Sequence, residues 1–115
     1  MKYTVERAND AGRDLEAIFD FLIESYRAFG EDADTAIDRA AERLRQIHTS
    51  MQSLGDAPHQ GTLMPQLFPG LKSVTKDRAI FYFSVDGTKR VVRVLAVFFG
   101  GQDHQRRMLK RLLGG

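Results

Sequence analysis

The spacing of large apolar residues changes midway along this chain, and that change limits what it can fold into. Leu15, Ile18, Phe19, Leu22, Ile23, Tyr26 and Phe29 recur mostly at three- and four-residue steps, which is the stripe of an amphipathic helix. Asn9 or Asp10 is placed to cap its start, and Gly30 to end it. After "GEDAD", whose acids suit a helix N-terminus, Ala33, Ile37, Ala40, Leu44, Ile47, Met51 and Leu54 alternate steps of four and three. That is a seam for packing against another helix, so the short connection predicts an antiparallel helical hairpin stopped by Gly55. Arg39, Arg43 and Arg45 lie off the seam and read as solvated helix charges.

From Leu71 to Phe99 the helical period is gone. "LKSVTK" (71–76), "AIFYFSV" (79–85) and "RVVRVLAVFF" (90–99) are rich in β-branched and aromatic residues and read as strands. Asp86-Gly87 is a hairpin signal, because glycine tolerates the positive φ of such turns. Both alternating sets of the last strand are mostly apolar, which predicts a central strand covered on both faces, with Arg93 as the exception. Between helices and strands, residues 55–70 hold all three prolines and read as an irregular loop whose Leu63, Met64, Leu67 and Phe68 tuck onto the core. "KYTV" at the start adds a short strand with Tyr3 and Val5 on one face. Met108, Leu109, Leu112 and Leu113 form the apolar stripe of a short final helix, with Gly100 and Gly101 turning the chain into it and Asp103 capping it. The expected fold is α+β, ordered β-α-α-β-β-β-α, with the helices packed on one face of a small, mostly antiparallel sheet.

A chain of 115 residues is long enough for one core, so residues 1–115 are expected to form a single domain. There is no cysteine for disulfides or thiolate metal sites, no apolar leader, and no uninterrupted apolar run near membrane-spanning length. A cytoplasmic location away from membranes is expected. Charge is divided. Residues 1–56 carry seven Lys/Arg and twelve Asp/Glu, net −5, whereas residues 57–115 carry ten and three, net +7. Such a basic half suits nucleic acid or an acidic partner.

Clusters that would announce an enzyme are scarce. His48, His59 and His104 are not at ligand spacing with one another, and Walker and GxSxG motifs are absent, so neither metal nor cofactor is expected. Lys72, Lys76, Arg78 and Arg93 on the strands, with His104, Arg106 and Arg107 just beyond, would make a basic concavity if they converge. In that case His104 could serve as general acid or base and Arg78 could stabilise phosphorane charge, or the same face could bind an acidic protein.

Several phrases in order along the chain resemble the RelE/ParE superfamily of bacterial type II toxins. They are "D-L-x-x-I" (Asp14, Leu15, Ile18), "P-x-x-G" (Pro58, Gly61), "G-L-K" (70–72), "R-A-I-F-Y-F-S-V" (78–85) and "V-R-V-L-A-V-F-F-G-G-Q-D" (92–103). The likeness is greater to the ParE branch, although Phe99 stands where His is common and Gln102 where Arg is. It implies a non-enzymatic toxin, of a kind associated with plasmid stabilisation, that inhibits DNA gyrase and is neutralised by a ParD-like antitoxin. Arg78, Arg93, Gln102, Asp103, His104, Arg106 and Arg107 would then be candidates for the target-binding surface. Leu15, Phe19, Leu22, Ile37 and Leu44 would be candidates for antitoxin binding, and operator DNA would be met only through the antitoxin. The alternative implied by the RelE branch is a ribosome-dependent mRNA endoribonuclease using Arg78, His104 and Lys76. A non-toxic binding module of the same fold is a third possibility.

Overall fold

The structure, a computed structural model, describes residues 2–100 and 103–114. Strand β1 (Thr4–Arg7) leads into helices α1 (Asn9–Ala28) and α2 (Ala33–Gln52), with a 3-10 turn at Ser53–Gly55. Strands β2 (Thr62–Leu63), β3 (Lys72–Lys76), β4 (Ala79–Asp86) and β5 (Val91–Phe99) follow, and helix α3 (His104–Leu112) is last. This is the expected α+β order with one addition, the two-residue β2 inside the proline-rich loop. Gly61 permits it: the residue has φ +92°, and a Cβ there would lie 2.7 Å from the Ser73 carbonyl oxygen. Only glycine lets the loop come close enough to pair Thr62 with Ser73 and Leu63 with Lys72.

The sheet runs β1-β5-β4-β3-β2, with β1 parallel to β5 and the other pairs antiparallel. The helical hairpin is the crossover joining the chain's start to that sheet. Its turn uses Gly30 at φ +99°, and Asp32 accepts the Thr35 N–H at 2.8 Å to cap α2. Leu15, Ile18 and Leu22 of α1 and Ala40, Ile47 and Met51 of α2 pack with Leu54 against Phe81, Phe83, Val92, Val94 and Val97. At the end of the 3-10 turn, Gly55 lets the N-terminal segment cross: its carbonyl accepts the Tyr3 N–H, and a Cβ on it would lie 2.3 Å from the Tyr3 oxygen. Burial fades toward the hairpin tip, so Phe29 is 88% exposed and Ile37 is 43% exposed.

β5 is central and covered on both faces, as its double apolar pattern predicts. A bulge between Tyr82 and Phe83 leaves Leu95 as the extra residue of β5, with Tyr82 opposite Ala96 and Phe83 opposite Val94. The shift puts Val92, Val94 and Val97 all toward the hairpin. On the other face Met64, Leu71, Ile80, Tyr82, Ala96, Phe98 and Met108 form a second apolar layer, joined by Leu67 and Leu95. Helices therefore cover both sides: α1 and α2 take one face, and α3 with the 64–71 loop takes the other.

Other expectations differ in detail. The N-cap of α1 is Ala8, without a side-chain bond, while Asp10 lies in the first turn and pairs with Arg13. Leu63 and Phe68 remain exposed while Met64 is buried, so the loop docks through alternate apolar residues. In the β4–β5 hairpin, Gly87 does not supply the left-handed residue, which is Arg90 at φ +55°. Asp86 closes that turn instead, its carboxylate accepting the Thr88 and Lys89 N–H groups at 3.0 Å each. Finally, α3 does not dock through a leucine stripe. Met108 is buried, but Leu109, Leu112 and Leu113 are 41%, 37% and 78% exposed. No helix among the described residues is long and apolar enough to cross a membrane.

Candidate target-binding surface and partner groove

The two-residue turn between β3 and β4 carries the first candidate. Lys76 pairs with Ala79, and the residues between them, Asp77 and Arg78, are both left-handed at φ +52° and +66°. A type I′ turn needs this geometry, and non-glycine residues adopt it at a cost of about 1–2 kcal/mol each. Helix α2 holds the turn in place. The Arg43 guanidinium donates to the Asp77 carbonyl at 2.5 Å, and the Ser50 hydroxyl donates to the Asp77 carboxylate. Next to the turn, Gly100 donates its N–H to the Arg78 carbonyl at 3.1 Å. The guanidinium carbons of Arg43 and Arg78 lie 5.5 and 5.7 Å from the Phe99 ring centre, and Phe21 lies 6.4 Å from it. Arg43 is thus no free solvated charge. Its role was hidden in the sequence because its partner stands 34 residues away.

His104 lies on the opposite face of the sheet. It is the first residue of α3, whose N-cap Asp103 accepts the Arg106 N–H at 3.3 Å. Its Nδ1 shares a 2.6 Å hydrogen bond with the hydroxyl of Tyr82, a fully buried ring. Burial, and then the nearby Asp103 carboxylate, push the Tyr82 phenol above its ordinary pKa, so it stays protonated. Tyr82 also meets Phe98 edge-on at 5.9 Å, and Arg107 and Arg111 lie over Phe98 at 4.9 and 5.3 Å. Phe98, Arg107, Lys110 and Arg111 line a shallow cleft of about 500 Å³, together with Asp10 and Gly114. Arg106 is exposed beside it.

The structure therefore divides the basic set. Asp103, His104, Arg106 and Arg107 gather at the start of α3. Arg78 contacts Phe99, which packs with the hairpin-side layer, and Lys76 shares that side with Val74 by strand alternation. Arg93 stands apart again, opposite Ser84 and Glu6 and 3.7 Å from the Glu6 carboxylate. Gln102 lies outside the described residues. Among the described residues no three His, Asp or Glu side chains come together as a metal-holding group.

The helical hairpin carries an open groove of about 890 Å³. Leu15, Phe19, Ala41 and Leu44 form its apolar lining, with Gly12 opening one wall and Glu16, Asp20, Arg45 and His48 at its polar edge. Of the five apolar partner candidates, Leu15, Phe19 and Leu44 meet here. Leu22, buried in the core as Leu15 is, lies outside the groove, and so does Ile37 toward the hairpin tip.

No family model matches the sequence, and no curated protein matches it either. Solved structures do. A chain of the chromosomal ParDE toxin–antitoxin system of P. aeruginosa aligns with 87% of this chain and 98% of its own length, at a TM-score of 0.66 and 19% identity. A mutant of the E. coli toxin RelE in the free state aligns with 99% of this chain and 97% of its own, at 0.61 and 12%. A chain of the RelBE2 toxin–antitoxin complex of Mycobacterium tuberculosis aligns with 86% and 99%, at 0.54 and 15%. At these identities what is shared is architecture: this chain has the fold of the RelE/ParE toxins.

Proposed function

We propose that this chain is the toxin of a cytoplasmic type II toxin–antitoxin module of the ParE kind. It acts by binding DNA gyrase, is neutralised by a ParD-like antitoxin, and meets operator DNA only through that antitoxin. The observation that carries the choice of branch is the division of the basic set. An RNase would need Lys76, Arg78 and His104 around one scissile phosphate, since general acid–base groups must reach their proton within hydrogen-bonding distance. Here Lys76 and Arg78 stand on the hairpin side of the sheet, and His104 is bonded to Tyr82 on the other. Exposed Asp103, Arg106 and Arg107 suit a binding face better than a reaction centre. The groove lined by Leu15, Phe19, Ala41 and Leu44 is the antitoxin's landing site, its apolar lining suited to the apolar face of an amphipathic helix.

The endoribonuclease reading draws on one observation, the Tyr82 bond that fixes the His104 imidazole at the surface. Two assays separate the readings. Purified protein is expected to block gyrase supercoiling and to leave ribosome-dependent mRNA cleavage at background. His104→Ala is expected to weaken gyrase inhibition by no more than about fivefold, the loss of one hydrogen bond of about 1 kcal/mol at one end of the final helix. Loss of a general acid would instead lower cleavage by about 10²–10⁴-fold. Transcripts cut in the presence of ribosomes, with supercoiling normal, would replace the first reading by the second. Antitoxin binding with neither activity would mark a binding module without toxicity.

A further inference from the structure

Asp14, the acid of "D-L-x-x-I", is spent on neither the groove nor the target surface. Strand β1 pairs with β5 only as far as Arg7 and Val94, after which no strand among the described residues lies beside that edge of β5. At that edge the Asp14 carboxylate accepts the Val97 N–H at 2.9 Å. The same carboxylate takes two parallel bonds from the Arg111 guanidinium, each 2.7 Å, in the fork geometry that suits arginine. The pair is shielded, with the Asp14 side chain 11% exposed and that of Arg111 28% exposed. One carboxylate thus ties together α1, the free edge of the central strand and the last turns of α3.

The docking of α3 gives this tie its importance. A nine-residue helix is marginal on its own in water, and α3 buries only one large side chain, Met108. Its contacts with the body include His104, Met108 and Arg111, spaced i, i+4 and i+7 on one face, with Arg107 over the Phe98 ring beside them. An apolar anchor is flanked by a polar clasp at each end, one on Tyr82 and one on Asp14. The leucines that make the helix look amphipathic in sequence point elsewhere.

We infer that Asp14 is the positioning residue of α3: its clasp on Arg111 holds the helix against the sheet and so sets where His104, Arg106 and Arg107 stand. This rests on the reading of those residues as the target face only for its effect on activity, since the clasp itself can be measured without a target.

The test uses the full chain and follows backbone amide exchange along α3 together with the NMR resonances of the His104 imidazole. Asp14→Asn keeps an oxygen for Val97 but loses the charge, and it is expected to speed exchange in α3 about tenfold or more. Amides of α2 and β4 should keep their protection, and the imidazole resonances should move toward those of an unstructured histidine two helical turns away. Arg111→Gln should do the same, and the double variant should be no more open than either single one, because both remove one interaction. Unchanged α3 exchange in both single variants, or additive effects in the double, would overturn the inference. So would opening of α3 while the His104 resonances stay in place. Gyrase inhibition is measured alongside. If wild-type protein leaves gyrase untouched, the toxin reading fails, while the exchange and imidazole results still decide the clasp. If wild-type protein inhibits and Asp14→Asn opens α3 without losing potency, the positioning role is overturned and the toxin reading stands.

Discussion

Replacing Ala41 by arginine is expected to leave the protein folded and to weaken binding of the proposed antitoxin a hundredfold or more. Ala41 sits half-buried on α2, in the lining of the groove between the two long helices. Arginine is a good helix former, so the substitution does not disturb α2 itself. Its side chain would occupy the apolar trough beside Phe19 and Leu44 and bring a charge into the space where a partner helix must bury its own apolar face. Displacing central, desolvated contacts commonly costs 2–4 kcal/mol, and 2.7 kcal/mol corresponds to a hundredfold change. Ile37→Glu, outside the groove on the same helix, is the comparison and should change affinity by less than about threefold. Calorimetric titration with the antitoxin measures both, and thermal unfolding shows whether each variant stays intact. Affinity unchanged by Ala41→Arg would place the contact of the proposed antitoxin elsewhere on this chain.

The groove also shows what was legible in the residues and what was not. The apolar steps from Leu15 to Leu54 predict two helices and their pairing, because a period near 3.6 has few other uses. Those steps do not say which side of each residue meets the sheet and which is left for a partner. Leu15 and Leu22 are two turns apart on one face and almost equally buried, yet only Leu15 also lines the groove. Strands β3 to β5 were readable from their β-branched and aromatic runs. The bulge at Tyr82 and Phe83 was not, since it arises from pairing between strands and carries no composition of its own.

Polar contacts were the least legible. Asp14 meets residues 83 and 97 positions away, and Arg43 meets one 34 positions away. Neither bond follows any local period. Helix α3 misled for a related reason: four apolar residues suggested an apolar dock, whereas the anchors are His104, Met108 and Arg111. In a helix this short, two polar bonds of the charged or buried kind compete with a few exposed leucines on equal terms. The candidate site suffered in the same way. A list of basic residues gave no means of telling the two faces of the sheet apart, so Arg78 and His104 looked like partners in sequence and are separated in space.

The two faces of β4 can be told apart by experiment through adjacent residues. Phe81 and Tyr82 are both fully buried, Phe81 among the side chains of α1 and α2 and Tyr82 in the layer beneath α3. Phe81→Ala is expected to lower the free energy of unfolding by about 3–5 kcal/mol, the sum of lost apolar transfer and the cavity left behind. Against a typical domain stability of about 5–15 kcal/mol, that leaves a marginal protein. Tyr82→Phe keeps the ring and removes only the hydroxyl that meets His104, so it should cost about 1 kcal/mol. Urea unfolding reads both as shifts in midpoint at unchanged slope. A cost below about 1.5 kcal/mol for Phe81→Ala would mean that the hairpin rests on the sheet far more loosely than its buried side chains indicate. The stability of the chain would then have to come from the thinner layer under α3, on which that helix buries Met108 and makes two polar clasps.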